Sequence, residues 1–269
     1  MMKITEFREI VFSNYRQAGR KFPWRGADPW GVMVSEYMLQ QTQTERVIPF
    51  WENWMRLWPR PKDLIKVPME EVLQNWSGLG YNRRCYNLKN SASIIVNEYD
   101  GKVPDSPPVL RLLPGIGSYI AGAIACFGYN YPSVFIETNI RSTMIHCFFP
   151  DRYDVRDAEI LPLLKKALYK KDPRTWYYAL MDYGVTLKKL TENPSRRSAH
   201  YVRQTPFIGS FRQARGKVIR ALASVGPSNV EEIGITCGLE AEKLYRVLER
   251  LENESLVAEK DGIYRIKDY

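Results

Sequence analysis

One acidic residue stands inside an apolar stretch of the sequence. The segment VSEYMLQQT places Glu36 between Val34 and Leu39, and it is the only charged residue between Asp28 and Glu45. Burying a carboxylate among such side chains is costly, and this cost raises the pKa of the acid. A carboxylic acid that stays protonated near neutral pH can give a proton to a leaving group. The plainer alternative is a structural carboxylate that caps a neighbouring loop.

A glycine-rich turn and a polar loop form the second group of residues that could do chemistry. They lie in the segment LLPGIGSYIAGAIACFGYNYPSVFIETNIRS. Gly115 and Gly117 allow backbone N–H groups to approach a ligand closely, and a helix beginning near Ser118 adds its positive end, so a phosphate could bind there. A Gly-x-Gly pattern alone fits a plain turn equally well. The polar residues Glu137 and Asn139 follow in the same segment.

Helical patterns predict the elements that position these groups. Asp28 followed by Pro29 predicts the start of the helix that carries Glu36, because it combines an N-cap with proline in the first turn. Apolar residues recur at helical spacing through residues 69–98, and no long alternating run of β-branched residues occurs before residue 255. We therefore predict a mainly α fold, with residues 1–192 as one helical domain.

A change of composition follows that domain. Seven basic residues and no acid lie between Asn193 and Val230. We interpret residues 193–209 as an irregular basic connector in which Arg196 and Arg197 contact DNA phosphates. A solvated surface loop is the alternative interpretation.

The last part of the chain, residues 210–269, follows a plan of its own. Three helical patterns precede the segment VAEKDGIYRI, in which an Asp-Gly turn separates two short strand-like runs. This order resembles a winged helix-turn-helix domain. Such modules bind either DNA or proteins, so a DNA contact by this one stays an open question.

The overall composition favours an anionic partner. The 269 residues include 39 Lys plus Arg and 30 Asp plus Glu, a net charge of +9, which favours nucleic acid. The charged start predicts no signal peptide, and prolines and glycines interrupt the longest uncharged run, so no membrane contact is expected. Four widely separated cysteines predict reduced, mostly buried thiols, without a disulfide framework or a metal site. We expect a monomer that is cytoplasmic and associated with the nucleoid.

Four motifs, in order, resemble those of an enzyme family. They lie within about residues 22–184 and read SEYMLQQTQTERVIPFW, LQNWSGLGYNRRCYNL, LPGIGSYIAGAI and MDYGV. The chain resembles the HhH-GPD (endonuclease III-type) DNA glycosylase superfamily, and within it the adenine glycosylase (MutY) branch. The resemblance implies a two-lobed helical domain with a helix-hairpin-helix at about 106–128. It also implies a monofunctional reaction that removes a flipped base from double-stranded DNA.

The resemblance also implies catalytic roles. Glu36 matches the acid that protonates the base, and Glu137 matches an aspartate that stabilises the charged sugar and activates water. The loop reads Glu-Thr-Asn here where Asp-Gly-Asn is usual. Asn139 matches the asparagine that holds this water and loop, although Thr138 or Asn139 could be only a helix N-cap. Tyr119 replaces the lysine of lyase-competent relatives, so AP lyase activity is not expected; its alternative role is that of a core tyrosine.

Contacts with DNA are implied in the same way. Gln41 matches a residue that wedges into the duplex, and Leu79 and Tyr81 match residues near the unpaired base. Arg83 and Arg84 are expected to reach phosphates. As alternatives, the Gly-Leu-Gly sequence could be a helix C-cap and Gln41 a surface amide.

The chain departs from the family pattern in two places. The segment after MDYGVTLKK contains no cysteine, so a [4Fe–4S] cluster is not expected, and no other cofactor is implied. The C-terminal module does not resemble the longer β-containing domain that reads 8-oxoguanine in the family.

Three functions remain open from the sequence. The leading hypothesis is a monofunctional DNA glycosylase of base excision repair that removes adenine opposite guanine or 8-oxoguanine, favoured by Gln40 and Gln41. The first alternative is removal of thymine or uracil from mismatches with guanine, because Glu36 and Tyr119 do not choose the base. The second is a non-catalytic DNA-binding protein derived from a glycosylase.

Overall fold

The secondary structure is mostly helical. The computed structural model describes residues 2–203 and 206–268, and within them the chain forms fourteen α-helices, one 3₁₀ helix and three short strands. The helices are α1 (Ile4–Ala18), α2 (Pro29–Leu39), α3 (Thr44–Leu57), α4 (Pro61–Leu64), α5 (Met69–Trp76), α6 (Arg83–Glu98), α7 (Pro107–Leu110), α8 (Ser118–Tyr129), α9 (Thr138–Phe148), α10 (Asp157–Ala167), α11 (Pro173–Leu190), α12 (Phe211–Val225), α13 (Val230–Cys237) and α14 (Ala241–Asn253). The 3₁₀ helix is Pro194–Arg197, and the strands are β1 (Ser228–Asn229), β2 (Val257–Lys260) and β3 (Ile263–Ile266). The prediction of a mainly α fold is confirmed.

The described chain divides into two compact units, each built from separate segments. The first unit takes in residues 2–32, 104–112 and 116–203, and the second takes in residues 33–103, 113–115 and 206–268. The helical region contributes to both units, and the C-terminal module belongs with the second unit, while the domain boundaries given above stay a prediction. The division passes through α2, whose last seven residues belong to the second unit.

Aromatic packing forms the core of the first unit. The ring of Phe7 meets those of Phe148 and Trp176 edge to face, at centroid distances of 4.9 and 5.7 Å. These rings join α1, α9 and α11. At the edge of this core, the buried carboxylate of Asp182 on α11 accepts hydrogen bonds from Arg20 and Arg25. The segment that leads into α2 is therefore tied to α11.

The segment after α11 is ordered against α9. The side chain of Asn193 accepts a hydrogen bond from the backbone N–H of Ser195 and so caps the 3₁₀ helix. The Ser195 hydroxyl is buried 2.5 Å from that of Ser142 and 3.2 Å from the carbonyl oxygen of Thr138. The prediction of an irregular connector is wrong for Pro194–Arg197, because these contacts fix the segment as a short helix. Residues 204 and 205 of the predicted connector lie outside the described residues.

Helices α9 and α11 approach each other at backbone distance. A Cβ atom on Gly184 of α11 would overlap the carbonyl oxygen of Asn139 and lie 2.7 Å from its carbonyl carbon. No side chain fits in that space, so glycine is required there. This contact sets the position of the N-terminal end of α9.

Buried Arg84 connects the end of α2 to the loop after α5 in the second unit. It donates to six main-chain carbonyls, those of Tyr37, Met38, Gln40, Leu79, Gly80 and Tyr81, at 3.0, 2.8, 2.6, 3.2, 2.9 and 3.4 Å. The last carbonyls of a helix lack intrahelical donors, and a cation there also complements the helix dipole. Burial lowers the pKa of Arg84 to about 10, so the group remains charged at neutral pH.

The C-terminal segment has the topology of a winged helix. Its elements follow in the order α12, β1, α13, α14, β2 and β3, and the antiparallel sheet has the order β1-β3-β2. Asp261 and Gly262 have φ values of 55° and 77°, as the predicted Asp-Gly hairpin turn requires. Strand β1 was not predicted, because two residues carry no alternating pattern. Helix α12 packs against α5, where the Gln74 amide donates to the Ala223 carbonyl at 2.5 Å.

Two further predictions concern the cysteines and the membrane. All four cysteines are free and buried, which confirms the prediction of buried thiols. In the described part of the chain, no helix is long and apolar enough to cross a membrane.

Replacing Arg84 by methionine is expected to lower the free energy of unfolding by about 3 kcal/mol or more, because several buried carbonyls lose their donor. Urea denaturation of the two proteins measures this difference. The matched control is Arg111→Met, at an exposed position, with an expected change within about 0.5 kcal/mol. Equal effects of the two substitutions would contradict the structural role of Arg84.

Replacing Gly184 by alanine is expected to cost about 1–3 kcal/mol of unfolding free energy, because the added methyl group collides with the backbone of α9. Gly216 in α12 is the matched control, since a Cβ there meets no atom within 4 Å. Gly216→Ala should stabilise the protein by roughly 0.5–1 kcal/mol through helix propensity. Thermal unfolding compares the two variants, and a neutral Gly184→Ala would argue against the close approach.

Candidate active site and nucleic-acid interface

Glu36 lies on a helix that is buried along most of its length. Every residue from Trp30 to Met38 is buried, and Glu36 itself is 5% exposed. The Asp28 carboxylate accepts a hydrogen bond from the backbone N–H of Gly31 at 2.8 Å, which confirms the predicted helix start. The fold therefore places the Glu36 carboxyl group away from bulk water, as the sequence predicts.

Glu137 is the N-cap of α9. Its Oε1 accepts hydrogen bonds from the backbone N–H groups of Asn139 and Ile140 at 2.6 and 2.7 Å. Its Oε2 lies 3.2 Å from the donating side-chain amide of Asn139. Glutamate is long for an N-cap, and the extra methylene is accommodated because the carboxylate folds back onto the helix end. Glu137 is therefore the N-cap of α9, and the alternative that Thr138 or Asn139 takes this role is wrong.

Lys188 on α11 extends this cluster. Its ammonium group donates to the Asn139 side-chain oxygen at 2.8 Å, so the Asn139 amide bridges Lys188 and Glu137. Burial raises the pKa of Glu137, although hydrogen bonds from Ile140 and Asn139 and the charges of Lys188 and Arg141 oppose the shift. Burial also lowers the pKa of Lys188. The cluster thus holds a carboxyl group and an amine whose charged forms are both poorly solvated.

Tyr119 lies in the first turn of α8 and is half-buried. Its ring centroid is 6.0 Å from that of Phe135, and it packs against the core of the first unit. The structure therefore gives Tyr119 a packing role, and its phenol offers no amine for a Schiff base. Its catalytic role stays a prediction.

The loop Ser77–Tyr81 combines glycines with one exposed aromatic ring. Tyr81 is 39% exposed and has a φ of 50°, and the Arg84 guanidinium carbon lies 5.3 Å from its ring centroid. Leu79 is buried, which does not support a contact with DNA. The expectation that Arg84 reaches a phosphate is corrected, because its guanidinium group is buried on main-chain carbonyls.

Other predicted DNA contacts lie at the surface. Gln41 is exposed with a φ of 55°, directly after α2. Gly115, with a φ of 77°, and Gly117, the N-cap of α8, are both exposed in the predicted hairpin turn. Ser118 begins α8 at the predicted position, and it is also exposed. These placements are compatible with contacts to a phosphate backbone, and the contacts remain predictions.

The predicted arginines differ in what they contact. Arg196 is exposed and pairs with Glu192 at 3.3 Å, an ion pair that contributes little in water. Arg197 donates to the carbonyls of Phe149 and Pro150, so part of its guanidinium group serves the fold. Exposed Arg83 donates to the carbonyl of Glu254 in the same way.

Sequence reasoning missed Lys188, Asp182 and the packing role of Gly184. All three lie on α11, in or beside the MDYGV motif, which was used only as a family marker. An acid two residues before a glycine on an otherwise apolar helix face is a signal that could have been used. The link between Lys188 and Asn139 connects distant parts of the chain, and no local pattern shows it.

The residues present do not fit a [4Fe–4S] cluster. Such a cluster needs four closely placed thiolates, and the segment between α11 and α12 contains no cysteine. Among the described residues, no group of three or more His, Cys, Asp or Glu side chains could hold a metal ion. We therefore derive no step through such a group.

Comparisons with known proteins agree with this arrangement. Residues 34–166 match the model of the HhH-GPD superfamily base excision DNA repair proteins. An adenine DNA glycosylase of Mycobacterium tuberculosis is 31% identical over 275 residues, which cover 90% of this chain and 87% of that protein. Another, from Mycolicibacterium smegmatis, is 35% identical over 236 residues, which cover 79% of this chain and 78% of that protein.

A solved structure gives an independent comparison of the fold. A thermostable thymine-DNA glycosylase superposes with a TM-score of 0.60 over 67% of this chain and 85% of that one, at 22% identity. At this identity the likeness concerns the fold alone. Together with the sequence relatives it leads to one conclusion: the chain belongs to the HhH-GPD superfamily of base excision DNA repair proteins.

Proposed function

We propose that this base excision repair glycosylase removes adenine paired with guanine or 8-oxoguanine in double-stranded DNA. The observation that carries the catalytic part of the proposal is Glu36, an acid held 5% exposed on a buried helix within the first shared motif. The adenine glycosylases among its relatives support adenine as the base. The buried Nε2 of Gln40 has no hydrogen-bond partner among the described residues, and a DNA base could supply the acceptor.

The proposed reaction is hydrolysis through a positively charged sugar. The Glu36 carboxyl group gives its proton to a ring nitrogen of the flipped adenine, and the C1′–N bond then breaks with its electron pair on the base. The Glu137 carboxylate stabilises the charge that develops on the sugar. A water molecule adds to C1′ and passes its proton to a carboxylate, which completes the hydrolysis.

Other properties of the chain support hydrolysis without strand cleavage. Tyr119 cannot form a Schiff base with the sugar, so the expected product is an intact strand with an abasic site. The net charge of +9 favours association with DNA, and we propose that the protein acts as a monomer on the nucleoid.

One observation favours the non-catalytic alternative. Both oxygens of Glu137 already accept hydrogen bonds within the cap of α9, so capping alone could explain this residue. A carboxylate that accepts such bonds still carries its charge, and a positioned charge is what the proposed role needs. Catalytic measurements distinguish the two readings.

Single-turnover base release from A·8-oxoG, A·G, T·G and U·G duplexes tests the proposed substrate. Adenine should be released, and Glu36→Gln should slow the release by about 10²–10⁴-fold, since the proton donor is lost. Glu45→Gln, at an exposed position of α3, is the matched control and should react like the parent protein.

Two other results would contradict the proposal. Release of thymine or uracil without adenine would assign the protein to guanine mismatches. Tight binding of every duplex without release of any base would favour the non-catalytic reading.

The pH dependence of adenine release tests the state of Glu137. Its ionised form is the proposed active form, so the rate should fall as the pH drops through its pKa, which burial raises above the ordinary value. Lys188→Met removes a positive charge that opposes this shift, so the fall should begin at a higher pH. Lys189→Met, at the exposed neighbouring position, should leave the profile unchanged. Identical profiles for all three proteins would contradict the coupling of Lys188 to Glu137.

A further inference from the structure

The N-terminal end of α12 lies on the loop Ser77–Tyr81. Arg212 donates from its guanidinium group to the Tyr81 hydroxyl at 2.6 Å, and its central carbon lies 5.8 Å from the Tyr81 ring centroid. Two turns further along α12, Arg220 donates to the Ser77 hydroxyl at 3.0 Å. Both ends of this loop are therefore held by the C-terminal module.

Tyr81 is held in a conformation that its own backbone disfavours. A φ of 50° is uncommon for a bulky residue, and such strain persists only where surrounding contacts fix it. The Arg84 guanidinium carbon lies 5.3 Å from the ring centroid, and Arg212 holds the hydroxyl end. The ring nevertheless remains 39% exposed. An exposed aromatic ring whose position is fixed by two guanidinium groups can stack with a nucleic-acid base through its exposed part.

The surroundings of Tyr81 have the chemistry of a DNA surface. Exposed Arg46 donates to the carbonyl of Gly78, and exposed Arg83 lies two residues after Tyr81. Phe211, the residue before Arg212 in α12, is 39% exposed. Basic groups interleaved with exposed aromatic rings suit phosphates and unstacked bases.

The third helix of the module does not share this character. The outward face of α14 carries Glu242, Tyr245, Arg246, Glu249 and Arg250, so acids and bases alternate there. In contrast, α12 contains four basic residues and no acid: Arg212, Arg215, Lys217 and Arg220. In a helix-turn-helix domain, the helix that usually contacts the DNA bases is the second helix of the helix-turn-helix pair, which in this module is α14. The distribution of charge in this module therefore favours its first helix, α12, as the helix that contacts DNA.

We propose that the C-terminal module extends the DNA surface of the glycosylase through the N-terminal end of α12, with Arg212 as the positioning residue of Tyr81. The module thus acts through the loop Ser77–Tyr81, and α14 does not enter a DNA groove. This inference rests on the proposed function for its ligand, double-stranded DNA with a damaged site. Arg212 keeps the ring of Tyr81 ready to stack against the duplex where a base has been lost.

A double-mutant cycle in the full-length protein tests this proposal. The variants are Arg212→Met, Tyr81→Phe and the combination, and the probe is a duplex with a tetrahydrofuran abasic analogue opposite guanine. Arg212→Met should weaken binding of this duplex by about tenfold, in line with the loss of one stacking contact. In the Tyr81→Phe background the same substitution should cost less than about twofold, because the hydroxyl through which it acts is absent.

Arg246→Met on α14 is the matched control and should bind like the parent protein. Thermal unfolding of every variant separates lost binding from lost folding. An equal loss from Arg212→Met in both backgrounds would overturn the positioning role, and so would an unchanged affinity. A loss from Arg246→Met would assign DNA binding to the third helix instead. The probe has no base to release, so the outcome does not depend on whether adenine is the substrate.

Discussion

The buried guanidinium group of Arg84 is the interaction on which the second unit depends. A charge out of water is tolerated only when hydrogen bonds replace its hydration, and Arg84 finds them in six main-chain carbonyls. These carbonyls belong to the end of α2 and to the glycine-containing loop before α6. One side chain thereby fixes both the helix that carries Glu36 and the loop that presents Tyr81. The proposed proton donor and the proposed DNA contact thus share one structural support.

In the first unit, a close approach of two helix backbones fixes the position of Glu137. Gly184 brings α11 against the backbone of Asn139, and the cap by Glu137 then closes the exposed end of α9. Lys188, one turn further along α11, reaches the Asn139 side chain from this fixed position. The MDYGV motif is therefore a packing motif, in which Gly184 determines where the loop with Glu137 and Asn139 lies and Asp182 holds Arg20 and Arg25. Catalytic groups held by backbone contacts need no reorganisation when the substrate arrives.

Local pattern predicted much of this architecture. The start of α2 at Asp28 and Pro29, the start of α8 at Ser118 and the Asp261–Gly262 turn all follow from residue types that one conformation demands. The sequence also singled out Glu36, because an isolated acid among apolar residues is visible without any structure. The expectation that Arg84 contacts a phosphate was wrong, because in sequence an arginine that donates to carbonyls looks the same as one that binds phosphates. The 3₁₀ helix after α11 and the union of the C-terminal module with residues 33–103 depend on contacts between distant segments, which no local pattern encodes.

If Glu36 acts by protonating the departing base, as proposed, a substrate that needs no proton should be released without it. A purine methylated at N7 carries a fixed positive charge and leaves without an acid, so its release can be compared in the parent protein and in Glu36→Gln, above spontaneous loss. We expect Glu36→Gln to release this base within about tenfold of the parent rate, although its release of adenine is slowed by about 10²–10⁴-fold. Equal loss of both activities would contradict the proton-donor role and leave Glu36 as a structural acid.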